Sequence, residues 1–278
     1  MSQVILHRLY KFALHAAPAF LIAGACTAQS YIAGEDEAHY EAYADGWQSG
    51  DQSGRGFGAW QLLAPEYVSE GEEQYAGFFI ADIGSETHLA DFAHSGKAFG
   101  IFANGTQFEE TVAFRAFDRN LNPGDHFSLR VKFDGFATKF ERDSDEISSV
   151  GIALRNSATA ASLDAIAEGR LLVFAILEGL STYQLFDGEK RYNTRVFIDP
   201  LGAELGITIH ENNRYDLQIM TLSNKVVHHF KDRPLRLPDA EDDAKQETPP
   251  KVRGFALFNL NGGANNAYFG ALQVTRTE

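Results

Sequence analysis

Cysteine is almost absent from this 278-residue chain, which has one, Cys26. A single cysteine excludes an internal disulfide framework, so burial has to hold the fold. Methionine and tryptophan are scarce, at two each. Positive charge is in deficit as well: 24 Lys and Arg stand against 38 Asp and Glu, for a net charge of −14. A surface that acidic repels phosphate backbones and anionic lipid heads. It argues against nucleic acid and against direct binding to a membrane surface, and favours a neutral or cationic ligand, or a divalent cation. Beyond the N-terminal segment there is no run of 18 apolar residues, so no transmembrane span is expected in the mature chain.

Aromatic and flexible residues are plentiful. Hydrophobic residues make up 44% of the chain, which excludes a disordered tail. The 22 Phe suit half-buried pleated surfaces and the 25 Gly supply turns and bulges, so the composition leans towards β. The N-terminus reads as an export signal over residues 1–28. His7, Arg8 and Lys11 form a basic start, residues 12–25 are mostly apolar, and a small-residue exit follows through Ala23, Ala25 and Ala28. Cys26 lies at the end of the apolar stretch, so lipidation of Cys26 is an alternative to free secretion. Residues 1–28 hold Arg8 and Lys11 and no acid, and without them 22 basic residues face 38 acidic ones.

The body, from about residue 30 to 278, reads as one strand-rich domain. Residues 125–133 are the clearest strand, with Phe127, Leu129, Val131 and Phe133 on one face and Ser128, Arg130 and Lys132 on the other. Similar runs recur at 77–82, 97–103, 111–117, 149–155, 170–177, 183–186, 194–198, 205–210, 215–222, 225–230, 252–260 and 268–275. About a dozen short strands at even spacing predict an all-β, two-sheet antiparallel β-sandwich or jelly roll. Residues 157–168 are the one candidate helix. Residues 237–251, acidic and flanked by proline, read as a flexible surface loop.

The order of several Gly- and aromatic-rich pieces then resembles a family. They are Tyr43-Ala44-Asp45-Gly46-Trp47, Gly50-Asp51, Gly56-Phe57-Gly58-Ala59-Trp60, residues 96–104, Ala113-Phe114-Arg115-Ala116-Phe117, Leu121-Asn122-Pro123-Gly124-Asp125 and residues 149–156. Together they resemble the concanavalin-like β-sandwich domain of exported bacterial proteins, over about residues 40–275. Some members of that family carry a C-terminal sorting tail of the PEP-CTERM kind, which is not seen here. The resemblance implies a fold and an address at the cell surface rather than a reaction.

The search for chemistry leans away from an enzyme. Sandwich glycosidases of this architecture carry two Glu flanking an Asp on one bulged strand. Glu141-Arg142-Asp143-Ser144-Asp145-Glu146 has that carboxylate spacing, but its polar spacers read as a solvated loop. His228 and His229 are adjacent, so in a strand they face opposite sides and cannot hold one metal between them. Asp51 in Gly50-Asp51-Gln52-Ser53-Gly54, with Asp45 nearby, offers oxygens to a structural calcium, the one cofactor considered. Two carboxylates fall short of the six to eight ligands calcium takes, and a plain turn is the other reading.

Sugar-binding sandwiches stack pyranose rings on exposed aromatic faces, and Trp47, Tyr183 and Tyr268 are the candidate ligand-binding residues; Trp60 reads as core. Three functions follow from this reading. The first is an exported, non-catalytic module that binds polysaccharide or cell-envelope glycan. The second is a self-associating structural protein of the envelope or matrix. The third is a polysaccharide hydrolase or lyase.

Overall fold

A computed structural model describes residues 29–65, 76–93, 95–103, 110–136, 147–157, 159–160, 162, 167–236, 251–260 and 265–277. The predicted export signal, Cys26, the Glu141–Glu146 run and nearly all of the acidic 237–251 stretch lie outside these residues, as does part of the candidate helix.

Fifteen strands are present among the described residues. They are β1 (Ser30–Asp36), β2 (Phe57–Leu63), β3 (Ala76–Asp82), β4 (Lys97–Ala103), β5 (Glu110–Leu121), β6 (His126–Phe133), β7 (Ser149–Arg155) and β8 (Arg170–Leu177), followed by β9 (Thr182–Asp187), β10 (Lys190–Phe197), β11 (Ala203–His210), β12 (Arg214–Thr221), β13 (Val227–Pro234), β14 (Val252–Leu260) and β15 (Ala267–Thr277). They form two antiparallel sheets. One runs β13-β12-β11-β6-β15-β4-β3, with β1 also paired to β15, and the other runs β10-β9-β8-β7-β14-β5-β2. The architecture is therefore the two-sheet antiparallel sandwich that the alternation predicts. The strands number fifteen rather than about a dozen. β1 and β2 are the additions: the Gly- and Ser-rich sequence around them hides their period.

The core lies between the sheets. On β6, Phe127, Leu129, Val131 and Phe133 face inward as their spacing requires, all nearly inaccessible to solvent. The centre is aromatic. Phe127 meets Phe117 at 5.1 Å and Phe255 at 4.9 Å, and Trp60 meets Phe255 edge-on at 5.8 Å. Each such pair adds about 0.5–1.5 kcal/mol beyond its area burial.

One buried ion pair pins β1 across the sandwich. The Arg115 guanidinium on β5 donates to Asp36, both side chains are fully buried, and the Tyr43 hydroxyl donates to the same carboxylate. Arg115 also donates to the Gly58 and Ser53 carbonyls and sits 4.6 Å from the Trp60 ring centre. Burial lifts the Asp36 carboxyl above its usual range, against the pull of Arg115, Tyr43 and the Glu37 N–H. Beside this network the chain passes close to β1 at Gly56, whose φ is +79° and where a Cβ would stand 2.4 Å from the Gly34 Cα. Only glycine fits there.

The two sheets present different outer faces. That of the eight-stranded sheet is covered in part by the segment between β3 and β4, where Leu89, Phe92 and Ala93 pack on Ala81, Ala98, Leu222 and Tyr268. Among the described residues, both sheets end on one side of the sandwich at a strand with no further neighbour, β10 and β13. Each of these strands is irregular: Arg195 (φ 61°) interrupts β10 and Asp232 (φ 52°) interrupts β13.

His126, on the outer face of β6, pairs with Thr208 of β11 and lays its ring over Gly206, where a Cβ would stand 2.7 Å from the imidazole Cε1. Its Nδ1 is 2.9 Å from the Thr208 hydroxyl. Burial holds its pKa below the ordinary value, against the pull of Glu204. The folded state therefore binds a proton less readily than the unfolded chain. The resulting stability is present above the ordinary histidine pKa and lost as pH falls through it. His126→Gln is expected to lose less stability than the parent between about pH 7.5 and pH 5.5, read from urea midpoints at each pH. An equal loss in both proteins would assign the acid sensitivity elsewhere.

Candidate functional site

The outer face of the seven-stranded sheet holds a cavity of about 730 Å³. Its origin is legible strand by strand. β7, β8 and β14 read SVGIALR, RLLVFAIL and VRGFALFNL, runs with little polar alternation. Strands of this kind bury both faces. Ile152, Leu154, Phe174, Ile176, Phe255 and Leu257 fill the inter-sheet core. The alternate residues Ala153, Val173, Ala175, Leu177, Ala256 and Phe258 form a second apolar cluster on the outer face.

The strand register sets the shape of this face. Across one row, Arg191, Phe186, Val173, Ala153, Ala256, Phe114 and Gln61 stand side by side on successive strands. The next row runs Asn193, Gln184, Ala175, Gly151, Phe258, Val112 and Leu63. Small residues thus occupy the central strands, with larger ones to either side, which leaves a groove. A Cβ on Gly151 would stand 2.0 Å from the Phe174 carbonyl oxygen, so this central position also needs glycine. At one end the stretch around Ala160 folds back on the sheet, where the Gln61 side-chain amide donates to the Ala160 carbonyl at 2.7 Å and accepts its N–H at 3.2 Å.

The other end of the groove is polar. Arg170, Lys190, Arg191 and Arg236 line it, together with Asp187, while Ser149, which pairs with Leu177 and Leu260, lines the groove at the far end of β7. Arg236 arrives from the other sheet: its N–H bonds the Leu171 carbonyl at 2.7 Å as the chain leaves β13. Arg155 stands opposite Arg170 in register, its guanidinium 4.6 Å from the Phe114 ring centre. Burial and the charge of Arg170 lower the Arg155 pKa to about 10, against the pull of Glu168. Burial also lowers the pKa of Arg170, which Glu110 raises and Arg236 lowers.

Asp187, at the rim, is already committed. It accepts the Tyr215 hydroxyl at 2.6 Å and two bonds from Arg233, at 2.7 and 3.1 Å, and Arg233 lies over the Tyr192 ring. Burial pulls the Arg233 pKa down, but Asp187 more than compensates and holds it above its ordinary value.

The residues picked out from the sequence lie elsewhere. Trp47, Tyr183 and Tyr268 expose 4%, 1% and 1% of their surface, so none offers a ring face to a sugar. Trp47 is wedged into the core, edge-on to Trp60 at 5.0 Å and to Phe78 at 5.3 Å. Tyr183 points inward from β9, stacks on Phe174 at 4.9 Å, and accepts the Asp199 N–H on its hydroxyl at 3.0 Å. Tyr268 lies on the opposite outer face, between Phe79 and His88. The polar neighbours of Trp47 and the Gly and Ser near Tyr183 mimic a surface context, but they mark turns beside inward-facing positions.

The metal candidates are corrected as well. The Asp51 carboxylate accepts the Gln48 N–H at 2.7 Å and closes its own turn, and the Asp51 backbone bonds Gln48 and Trp60. Asp45 is exposed beside a separate cavity lined by Trp47, Phe78 and Lys97. Among the described residues no three His, Cys, Asp or Glu side chains are grouped to hold a metal ion, so the donor set does not fit calcium there. No described helix is long and apolar enough to cross a membrane.

No protein-family model matches the chain, and no curated protein matches it in sequence. Several solved structures share its general fold. A legume lectin-like domain from Entamoeba histolytica aligns at 14% identity and a TM-score of 0.41, covering 77% of this chain and 88% of that one. A carbohydrate esterase from the Shiga toxin-encoding bacteriophage phi24B aligns at 9% identity and a TM-score of 0.43, covering 79% and 90%. The calcium-bound exoplasmic/lumenal domain of VIP36 aligns at 9% identity and a TM-score of 0.41, covering 76% and 88%. At these values the likeness is one of sandwich architecture alone.

Proposed function

We propose that this chain is an exported, non-catalytic module that binds glycan in the groove on the outer face of the seven-stranded sheet. One observation carries the reading: a cavity of about 730 Å³ with an apolar floor and hydrogen-bonding groups gathered at one end. That volume falls within the range of small-molecule and oligosaccharide sites, which combine apolar walls with a few convergent polar groups. Phe186 and Phe258 supply apolar surface for the C–H faces of sugar rings. Ser149, Lys190 and Arg191 supply groups that hydroxyls can bond. The basic, then apolar, N-terminal sequence supports export. Among the described residues the one acid lining the groove is Asp187, and it is bound to Tyr215 and Arg233.

A glycan array followed by calorimetry tests this. At least one polysaccharide is expected to bind. Phe186→Ala, with its melting temperature checked, is expected to weaken that binding roughly tenfold, as loss of a well-packed apolar contact does. Binding that is indifferent to Phe186→Ala would move the site, and no binding by any glycan would refute the reading.

A further inference from the structure

We infer that the open edge of β3 takes an extended segment of another polypeptide, added as one further strand with its backbone bonded to Phe78 and Ile80. This site is separate from the groove and does not rest on the glycan reading. β3 ends its sheet, and among the described residues its only ladder is with β4. The register shows which backbone groups face away from that ladder. Ile83 continues the register past the end of β3, and its N–H bonds the Gly96 carbonyl at 3.1 Å. Bonded and non-bonded positions alternate along an antiparallel pair. Gly77, Phe79 and Ala81 therefore bond β4, while the N–H and C=O groups of Phe78 and Ile80 point outward. Among the described residues these outward groups have no backbone partner. The row stops at Asp82, whose carbonyl accepts the Ser85 and Glu86 N–H groups at 3.0 and 2.8 Å. A short outward row of this kind is a template for one more strand.

A cavity of about 540 Å³ lies against this edge, between Phe78 and Ile80 on one side and the turn at residues 43–48 on the other. The turn closes the far side, so the space admits one strand and not the edge of a second sandwich. Trp47 lines the cavity from that turn, and its indole N–H is buried with no acceptor among the described residues. A buried donor left unpaired is costly. A strand lying along β3 turns every second carbonyl away from β3 and towards the turn, where one of them can accept the Trp47 N–H. The spacing favours peptide over sugar. The outward groups of Phe78 and Ile80 repeat at roughly 6.8 Å, the two-residue step of a strand, and a second peptide backbone matches that step. The side chains of the added strand are constrained as well. Those opposite Phe78 and Ile80 point inward beside Trp47, whose ring is packed against Trp60, Phe78 and Phe99, so they have to be small. The residue between them lies beside Phe79 on the outer face, where an apolar side chain fits.

The chain has two tryptophans, which makes the test direct. In proton–nitrogen correlation spectra of the isotope-labelled full chain they give two indole N–H signals. Trp60 already donates to the Tyr43 hydroxyl at 3.1 Å and serves as the internal control, and Trp47→Phe assigns the pair. The probe is a capped pentapeptide, Thr-Ala-Val-Ala-Thr. It is expected to move the Trp47 indole proton downfield and to leave that of Trp60 in place. Replacing both alanines of the peptide by proline removes the donors that face β3 and should weaken binding at least about tenfold. Replacing them by phenylalanine should do the same through bulk. On the protein side, Ile80→Pro deletes an outward N–H and spares the β4 ladder. With its melting temperature checked, this variant is expected to bind the alanine peptide at least about tenfold more weakly. An unmoved Trp47 signal, or equal binding of the alanine and proline peptides, would overturn the inference. A Trp47 signal moved by neutral cellulose, xylan or mannan oligomers would overturn it too and give the cavity to sugar. The glycan reading of the groove is judged apart from all of these, by its sensitivity to Phe186→Ala.

Discussion

Arg115→Met is expected to destabilise the fold by about 3–5 kcal/mol, measured as a shift of the urea midpoint at unchanged slope. The basis is asymmetry. Asp36 and Arg115 are both fully buried, and each supplies what the other needs. With the guanidinium removed, the Asp36 carboxylate keeps only the Tyr43 hydroxyl and the Glu37 N–H as donors. An unpaired charge in that setting costs several kcal/mol, or the carboxyl binds a proton instead. The Gly58 and Ser53 carbonyls lose their donors as well, so the loop ahead of β2 is released. Replacing both partners, with Asp36→Leu added to Arg115→Met, removes the stranded charge and should recover most of the loss. If the single change costs under about 1 kcal/mol, the pair is less dry than its geometry requires.

Asp187→Ala is the second large effect, expected at about 3 kcal/mol. Asp187 accepts from Tyr215 of β12 and Arg233 of β13, so one carboxylate on the seven-stranded sheet is tied to two strands of the other. Its Oδ1 also accepts the Glu189 N–H at 2.9 Å and shapes the turn before Lys190. Losing it leaves the nearly buried Arg233 guanidinium with only the exposed Glu189 carboxylate, 3.2 Å away, and frees one wall of the groove. Stability and glycan affinity should therefore fall together, the first read by thermal melting and the second by calorimetry well below the melting point. A loss of stability with intact affinity would separate the groove from this anchor.

The frame of the molecule could be read from period alone. β4, β7, β8 and β14 lie where their apolar runs predict, with the same bounds. The groove could not be read this way, for a physical reason. Its cations lie far apart in sequence, at 170, 190, 191 and 236, and only strand pairing brings them together. One signal was present nonetheless. RLLVFAIL and GFALF lack polar alternation, which marks a sheet buried on both sides and therefore something lying against its outer face. The aromatic candidates failed because local polarity says little about which way a side chain points. Trp47 sits among Asp45, Gly46 and Gln48, yet it packs against Trp60 and Phe78 because the turn around it faces inward.

The irregular free edges, β10 and β13, bear on how copies of the protein meet. A straight edge strand displays a row of unpaired N–H and C=O groups on which another chain can build. Here Arg195 and Asp232, both in the left-handed region, break that row on each sheet, and each carries a charge. A second molecule cannot continue the ladder past either kink, so fibrillar growth by strand addition is blocked on this side. Association here would have to run through side chains such as Phe197, which is 71% exposed. Contacts of that kind give discrete, reversible assemblies rather than a continuous cross-strand polymer.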